Sequence, residues 1–256
     1  MLADFHNHSC LSPCGSLDMS PRVLVETAAA KRIQVLALTD HNSSLNCPAF
    51  AFHCKRLRII PLYGLEVTTQ EEVHMLTLFT SLEAAKSFGE YMYSIITPFP
   101  NNPEKTGDQV YVDEDDNILG EVEYYLVNAA DIGTDALSEK TAEYNGIVIP
   151  AHVDRPAFSM TSQLGAVVEG KWAAIECVRI PPLSRFGDLA SPILNTYQFP
   201  LITGSDAHYP EYVGCRSFEL DISREELIPN GPEKDVDLTA LKRALEKRPR
   251  GSSTTW

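Results

Sequence analysis

The chain has 256 residues, 44% hydrophobic and 22% charged, which is the composition of a folded globular protein and not of a disordered one. Its 21 Lys and Arg against 35 Asp and Glu give a net charge of −14, which argues against a broad nucleic-acid or anionic-membrane surface. No apolar run approaches the ~18 residues needed to span a bilayer, so no membrane partner is expected.

The start, MLADFHNH, sets polar residues where an export signal carries its apolar core, and six cysteines without such a signal read as reduced thiols. A cytoplasmic location is expected. Leu2 to Phe5 predicts a short strand running into His6-Asn7-His8. Ser20-Pro21 is a helix opening, and the apolar spacing carries that helix to about Arg32. Val35 to Leu38 is a buried-type strand ending in Thr39-Asp40-His41, followed by a helix over roughly Pro48 to Leu57. Ile59 to Val67 predicts a strand carrying Glu66, His74 to Phe79 another, and about Ser81 to Ile95 a helix.

From about 98 to 125 Pro, Asn, Asp and Glu dominate. Tyr111-Val112 and Ile118-Leu119 flank Asp113 to Asn117, which predicts an acidic β-hairpin insertion. It reads as a solvated insertion in preference to a lid over a site. A helix follows from about Thr134 to Tyr144, stopped by Asn145-Gly146. Ile147 to Pro150 then leads to Ala151-His152, Ala173 to Val178 is a further strand, and Leu201 to Thr203 precedes Gly204 to His208. Asp237 to Lys247 is a last amphipathic helix, and 248–256 reads as a frayed tail. About seven β→α units without internal repeat predict one α/β domain over 1–247, built on a parallel sheet, open or closed into a barrel.

Six of the seven histidines fall at strand ends, where parallel α/β folds place their sites; only His53 lies on a predicted helix. His6 and His8, two apart, can reach one ion together, and Asp206 and His208 repeat that spacing. With His41, Glu66, His74 and His152, there are more imidazoles and carboxylates than one ion needs, so a cluster of two or three divalent ions (Mn, Fe or Zn) is expected. Arg155 reads either as a phosphate contact over that cleft or as a solvated loop arginine, with Arg179 and Arg185 weaker candidates. Asp40, beside His41, is read as a group that orients a ligand. Cys10, Cys14 and Cys47 contain no C-x-x-C pair and read as thiols without a role, as do Cys54, Cys177 and Cys215. Neither a G-x-S-x-G elbow nor a P-loop occurs.

The ordered set Asp4-Phe5-His6-Asn7-His8, Leu38-Thr39-Asp40-His41, Gly64-Leu65-Glu66, His74, Ala151-His152 and Gly204-Ser205-Asp206-Ala207-His208 resembles the polymerase-and-histidinol-phosphatase (PHP) family of metal-dependent phosphoesterases. The segment from Cys10 to Pro21 looks like a standalone bacterial branch of it. The resemblance implies a distorted seven-stranded β/α (TIM-like) barrel with a trinuclear centre. It implies a first ion on His6, His8, Glu66 and Asp206 and a second on Glu66, His74 and His152. A third would take His41, His208 and a first-loop carboxylate. Where the family's common form has Ser-Asp-Gly, this chain has Ser12-Pro13-Cys14-Gly15, and Asp18 is the one carboxylate in the loop and hence the candidate.

The expected activity is hydrolysis of a small phosphomonoester by a metal-bridging hydroxide. A phosphodiesterase or exonuclease acting on nucleotide ends is the alternative, disfavoured by the −14 charge. A non-catalytic metal-binding domain is the third reading.

Overall fold

The computed structural model describes residues 1–178, 199–229, 231 and 235–248. β1 (Leu2–Asp4) leads to α1 (Pro21–Ala30), where the Ser20 side chain accepts the Val23 N–H and Pro21 fills a first-turn position that needs no N–H. Then come β2 (Val35–Leu38), α2 (Cys47–Leu57), β3 (Ile60–Thr68), β4 (His74–Phe79) and α3 (Leu82–Ile95). α4 (Pro103–Thr106), β5 (Val110–Val112) and β6 (Ile118–Glu121) belong to the insertion. α5 (Thr134–Glu143), β7 (Gly146–Pro150), α6 (Met160–Leu164), β8 (Ile175–Glu176) and β9 (Leu201–Ile202) follow. β10 (Phe218–Glu219), α7 (Arg224–Leu227) and α8 (Leu238–Glu246) complete the described chain. Residues 249–256, most of the predicted tail, lie outside the described residues, as do Arg179 and Arg185.

The expected parallel seven-stranded barrel needs two corrections. Six strands form one curled, mixed sheet in the order β10-β1-β2-β3-β4-β7, while β8 pairs in parallel with β9 as a separate ladder. Pairs of backbone hydrogen bonds bridge the gaps, with Val153 N–H on Glu176 O at 2.8 Å and His8 N–H on Ala207 O at 3.0 Å as one member of each. Ala173 N–H reaches Val148 O at 2.9 Å beside β7, and Asp206 N–H reaches His6 O at 2.8 Å beyond β1. Second, β4 runs antiparallel to both β3 and β7. Only the short link 69–73 separates β3 from β4, and a parallel partner would need a crossover of about a dozen residues.

Alternation sorts the strands between two cores. Met75, Phe79 and Val148 pack on one face with Phe50 and Phe88 of the helices, while Leu76, Leu78, Ile147 and Ile149 pack on the other with Leu241 and Leu245 of α8. Glu66 shares its side of β3 with Ile60 and Leu62, and His74 shares its side of β4 with Leu76 and Leu78. The pairings Glu66↔Leu76 and Thr68↔His74 then set both residues at one edge of the sheet.

The insertion is exposed at 98–100, 102–105, 114–115 and 117–119, yet it does not stand free of the domain. Its base packs on the loop that follows β1: Val110 N–H donates to Cys10 O at 3.3 Å, and Val112 N–H donates to Asn46 Oδ1 at 2.9 Å. Asn46 passes the contact on by donating to Ser9 Oγ at 2.8 Å. Gly107 (φ +96°) lies so close that a Cβ there would stand 2.0 Å from Pro13 O, which no larger residue tolerates. Further out, Asp116 is ion-paired with Arg22 of α1, and Glu114 O accepts from His53 of α2 at 3.0 Å.

Candidate metal centre

Glu66, 1% exposed, is the hub of the site. Its Oε1 lies 3.2 Å from His6 Nε2, 2.9 Å from His74 Nδ1 and 3.1 Å from His152 Nε2. Its Oε2 lies 3.2 Å from His8 Nε2 and 3.3 Å from His41 Nδ1. Asp206 Oδ1 stands 3.3 Å from His6 Nε2 and 3.1 Å from His8 Nε2. Among the described residues three groups have ligand atoms within 4.8 Å of one another: His6–His8–Glu66–Asp206, His41–Glu66–His74, and His8–His41–His208.

Asp206 and His208 fall in different groups despite their spacing, since they lie beyond the end of β9, where Asp206 adopts a left-handed backbone (φ 48°) and no strand alternation sets their sides. His152 is left-handed as well (φ 31°). Such conformations cost of order 1–3 kcal/mol each and persist where the surroundings impose them, commonly at functional sites.

A second set of groups aims the imidazoles. Both oxygens of Glu176 lie 3.1 Å from His6 Nδ1; a carboxylate only accepts, so Nδ1 carries the proton and Nε2 turns its lone pair to the centre. The Ser12 hydroxyl donates to Asp40 Oδ1 at 2.7 Å, so it accepts from His8 Nδ1–H at 2.9 Å, which frees His8 Nε2 likewise. His208 Nδ1–H donates to the Asp206 carbonyl at 2.9 Å. Asp40 therefore acts on His8 through Ser12, and it also accepts from Ser9 N–H and Oγ–H at 2.7 and 2.6 Å.

These donors suit divalent cations. His6 Nε2 and His8 Nε2 face each other at 3.2 Å with both Nδ1 protons committed elsewhere, so two lone pairs would repel unless a cation stands between them. His74 Nε2 and His152 Nδ1 are buried with no hydrogen-bond partner. Imidazoles with carboxylates match Zn, Mn or Fe chemistry.

Without an ion, protons play that part. Burial lowers the pKa of His8, but hydrogen bonds to Asp206 and Glu66 outweigh it and raise the imidazole to about 9. For His6, burial is likewise overcome by Glu176, Glu66 and Asp206, which hold it well above the usual range. Burial pushes the Glu66 carboxyl up, yet His74, His6 and His41 hold it well below the ordinary carboxylate range. His208 is pushed down to about 4 by burial and by the charge of His8, so it is neutral and able to ligate at pH 7.

The expected Asp18 is not brought to the centre. Its side chain is exposed, and its N–H is tied to the neighbouring Ser16 Oγ at 3.1 Å. Cys14 stands in that region instead, with Sγ 3.0 Å from His208 Nε2. Arg155 reaches the site's mouth, its guanidinium 2.5 Å from Asp206 Oδ2 with the side chain 38% exposed.

Sequence reasoning missed Glu176 and Ser12. The signal for Glu176 was a carboxylate closing the apolar run Ala173-Ala174-Ile175, a position that needs a partner when buried. Gly204 belongs with it, since a Cβ there would stand 2.2 Å from Glu176 Oε2. Glu176→Gln is expected to weaken metal binding by about 10- to 100-fold, because its amide can donate to His6 Nδ1 and invert the tautomer. Competition with a chelator measures it, and unchanged affinity would remove Glu176 from this role.

The PHP domain family matches residues 4–153, more than half of the chain. No curated protein matches. Among solved structures, the lesion-specific endonuclease from Pyrococcus furiosus is similar at 19% identity and TM-score 0.60, over 91% of this chain and 57% of that one. An endonuclease Q in complex with a 27-mer duplex carrying an abasic lesion at its active site is similar at 17% identity and TM-score 0.63, over 96% and 57%. A protein described as a metal-dependent phosphoesterase from Bifidobacterium adolescentis aligns over 96% of both chains at 16% identity and TM-score 0.53. At these identities the likeness is one of fold, and this chain spans 57% of each endonuclease.

Proposed function

The chain belongs to the PHP domain family of metal-dependent hydrolases, and on that premise we propose that it cleaves a small phosphomonoester at a di- or trinuclear centre. The observation that carries this is the ring of His6, His8, His41, His74 and His152 around Glu66, with Asp206 beside it and Arg155 at the mouth. Divalent ions held there would supply Lewis acidity and a nucleophile at neutral pH. The protein's own part is orientation and charge. Glu176 fixes His6, and the Asp40–Ser12 pair fixes His8. Arg155 presents a planar, permanently charged fork suited to phosphate oxygens. A cytoplasmic site of action fits the six free cysteines.

A monoester is favoured because the ligands around Glu66 are buried, with a partly exposed Arg155 beside Asp206, while the chain carries −14 overall. A nucleic-acid track needs a basic groove. The second reading, a phosphodiester in a nucleotide chain, has the fold likeness to the two endonucleases in its favour.

The test is phosphate release from sugar phosphates, nucleoside monophosphates, nucleoside bisphosphates, histidinol phosphate and short oligonucleotides, each with Mn²⁺ and with chelator, beside His208→Ala. Chelator-sensitive turnover of one monoester class, lost in the variant, is expected. Preference for oligonucleotides would replace the monoester reading. Silence with ions bound would favour a non-catalytic binding role.

A further inference from the structure

The position formed by His8, His41 and His208 lacks the carboxylate expected to complete it, because Asp18 points to solvent. We propose that Cys14 is the fourth donor there, a thiolate in place of the carboxylate, making this position selective for borderline-soft ions such as Zn²⁺ over Mn²⁺.

Three observations converge on it. Cys14 Sγ faces the one free nitrogen of His208, Nε2, at 3.0 Å, since Nδ1 is committed to the Asp206 carbonyl. Two donors on one tetrahedral zinc, with bonds of about 2.3 Å to sulfur and 2.05 Å to nitrogen, stand about 3.5 Å apart, so the Cys14–His208 pair opens by about 0.5 Å around an ion, and the exposed Cys14 side chain, outside the 4.8 Å group of His8, His41 and His208, closes on the other two as the ion binds. His41, in the same group, is 4% exposed, and its Nδ1, 3.3 Å from Glu66 Oε2, makes no hydrogen bond.

The loop holds the thiol in that place. Ser16 N–H donates to His208 O at 2.9 Å, which ties the loop to the residue that Cys14 faces. Gly15 N–H donates to Ser12 O at 2.9 Å, and Ser12 N–H to Ser9 O at 3.1 Å, so the turn around Pro13 is closed on both sides. From outside, Gly107 of the insertion abuts Pro13. Binding transfers the thiol proton to solvent as the sulfur–metal bond forms, so the balance is one proton released for one ligand gained.

The proposal rests on the reading of this site as a metal centre and needs no substrate. Titration with Co²⁺ is expected to give a near-ultraviolet thiolate-to-cobalt charge-transfer band that Cys14→Ser abolishes and Cys215→Ser retains. The last ion to bind should weaken at least about 10-fold in Cys14→Ser, the lower limit for loss of even an outer partner. In the unmutated protein, Zn²⁺ should slow alkylation of Cys14 by iodoacetamide at least about 10-fold, leaving Cys215, the other exposed thiol, unchanged. A band that survives in Cys14→Ser, bound cobalt without a band, or unprotected Cys14 would overturn the assignment. Failure of the phosphate-release panel would leave these readouts intact, and the reverse holds too.

Discussion

Glu66→Gln is expected to empty the centre and to cut metal-dependent turnover by more than about 100-fold, beyond the range seen when an outer partner alone is lost. Five imidazoles converge on this carboxylate at 2.9–3.3 Å, and two of the three candidate ligand groups contain it. An amide keeps the volume, removes the charge and turns one oxygen into a donor aimed at the imidazoles. In chelator the variant also leaves charged His6 and His8 short of an anion. Breaking a buried pair by removing one partner costs about 3–5 kcal/mol, so the metal-free variant should unfold at markedly lower denaturant at pH 6. Metal content after dialysis, turnover and urea midpoints read this out. Full metal occupancy with turnover within about 10-fold of the unmutated protein would remove Glu66 from the hub.

The second large effect is the pH dependence of the metal-free protein. A histidine whose folded pKa is raised stabilises the fold fully below its unfolded value, about 6.5, and ceases to once the pH passes the folded value. For His8 that value is about 9, set against burial by Asp206 and Glu66, and His6 shifts in the same direction. His8 alone therefore contributes about 3 kcal/mol that disappears between pH 6.5 and 9. At the usual scaling this is roughly 6–12 °C in Tm. Glu66 and Asp206, held well below the usual carboxylate range, are ionised throughout that window and do not offset the loss. His41 and His208, both pushed down, titrate below it. Thermal melts in chelator should thus fall as pH rises from 6.5 to 9, whereas saturating Zn²⁺ or Mn²⁺ should flatten the curve because ions replace the protons. A chelated protein whose Tm is flat or rises across this window would contradict the assignment.

Much of this architecture is legible in the residues. The strands Val35–Leu38 and His74–Phe79 stand out as apolar runs bounded by polar punctuation, and Ser20-Pro21 marks a helix start by chemistry alone. The direction of β4 was legible too, because a link as short as 69–73 forces antiparallel pairing; the β→α count concealed it. β10 offered no comparable sign, since two residues, Phe218 and Glu219, carry no period. At the site, polar residues at strand ends were visible, but which oxygen orients which imidazole was not. The Asp40–Ser12–His8 chain joins residues 28 and 4 positions apart through a hydroxyl whose role depends on folded geometry. Asp18 misled because charge type was weighed without the loop's path, which sets Cys14 against His208 and turns Asp18 to solvent.

A shortened form of this protein, with 98–125 replaced by a tight turn, would look harmless in outline, since the excised piece bears none of the ligands. It would nevertheless strip the backing from Cys10 to Pro13, where Val110 and Gly107 brace the loop from behind and Val112 holds Asn46 against Ser9. The hairpin is scaffolding to the metal pocket as a splint is to a joint. Trimming it would loosen the donors it never touches, and mutational tolerance should fall off toward its base and not toward its acidic tip.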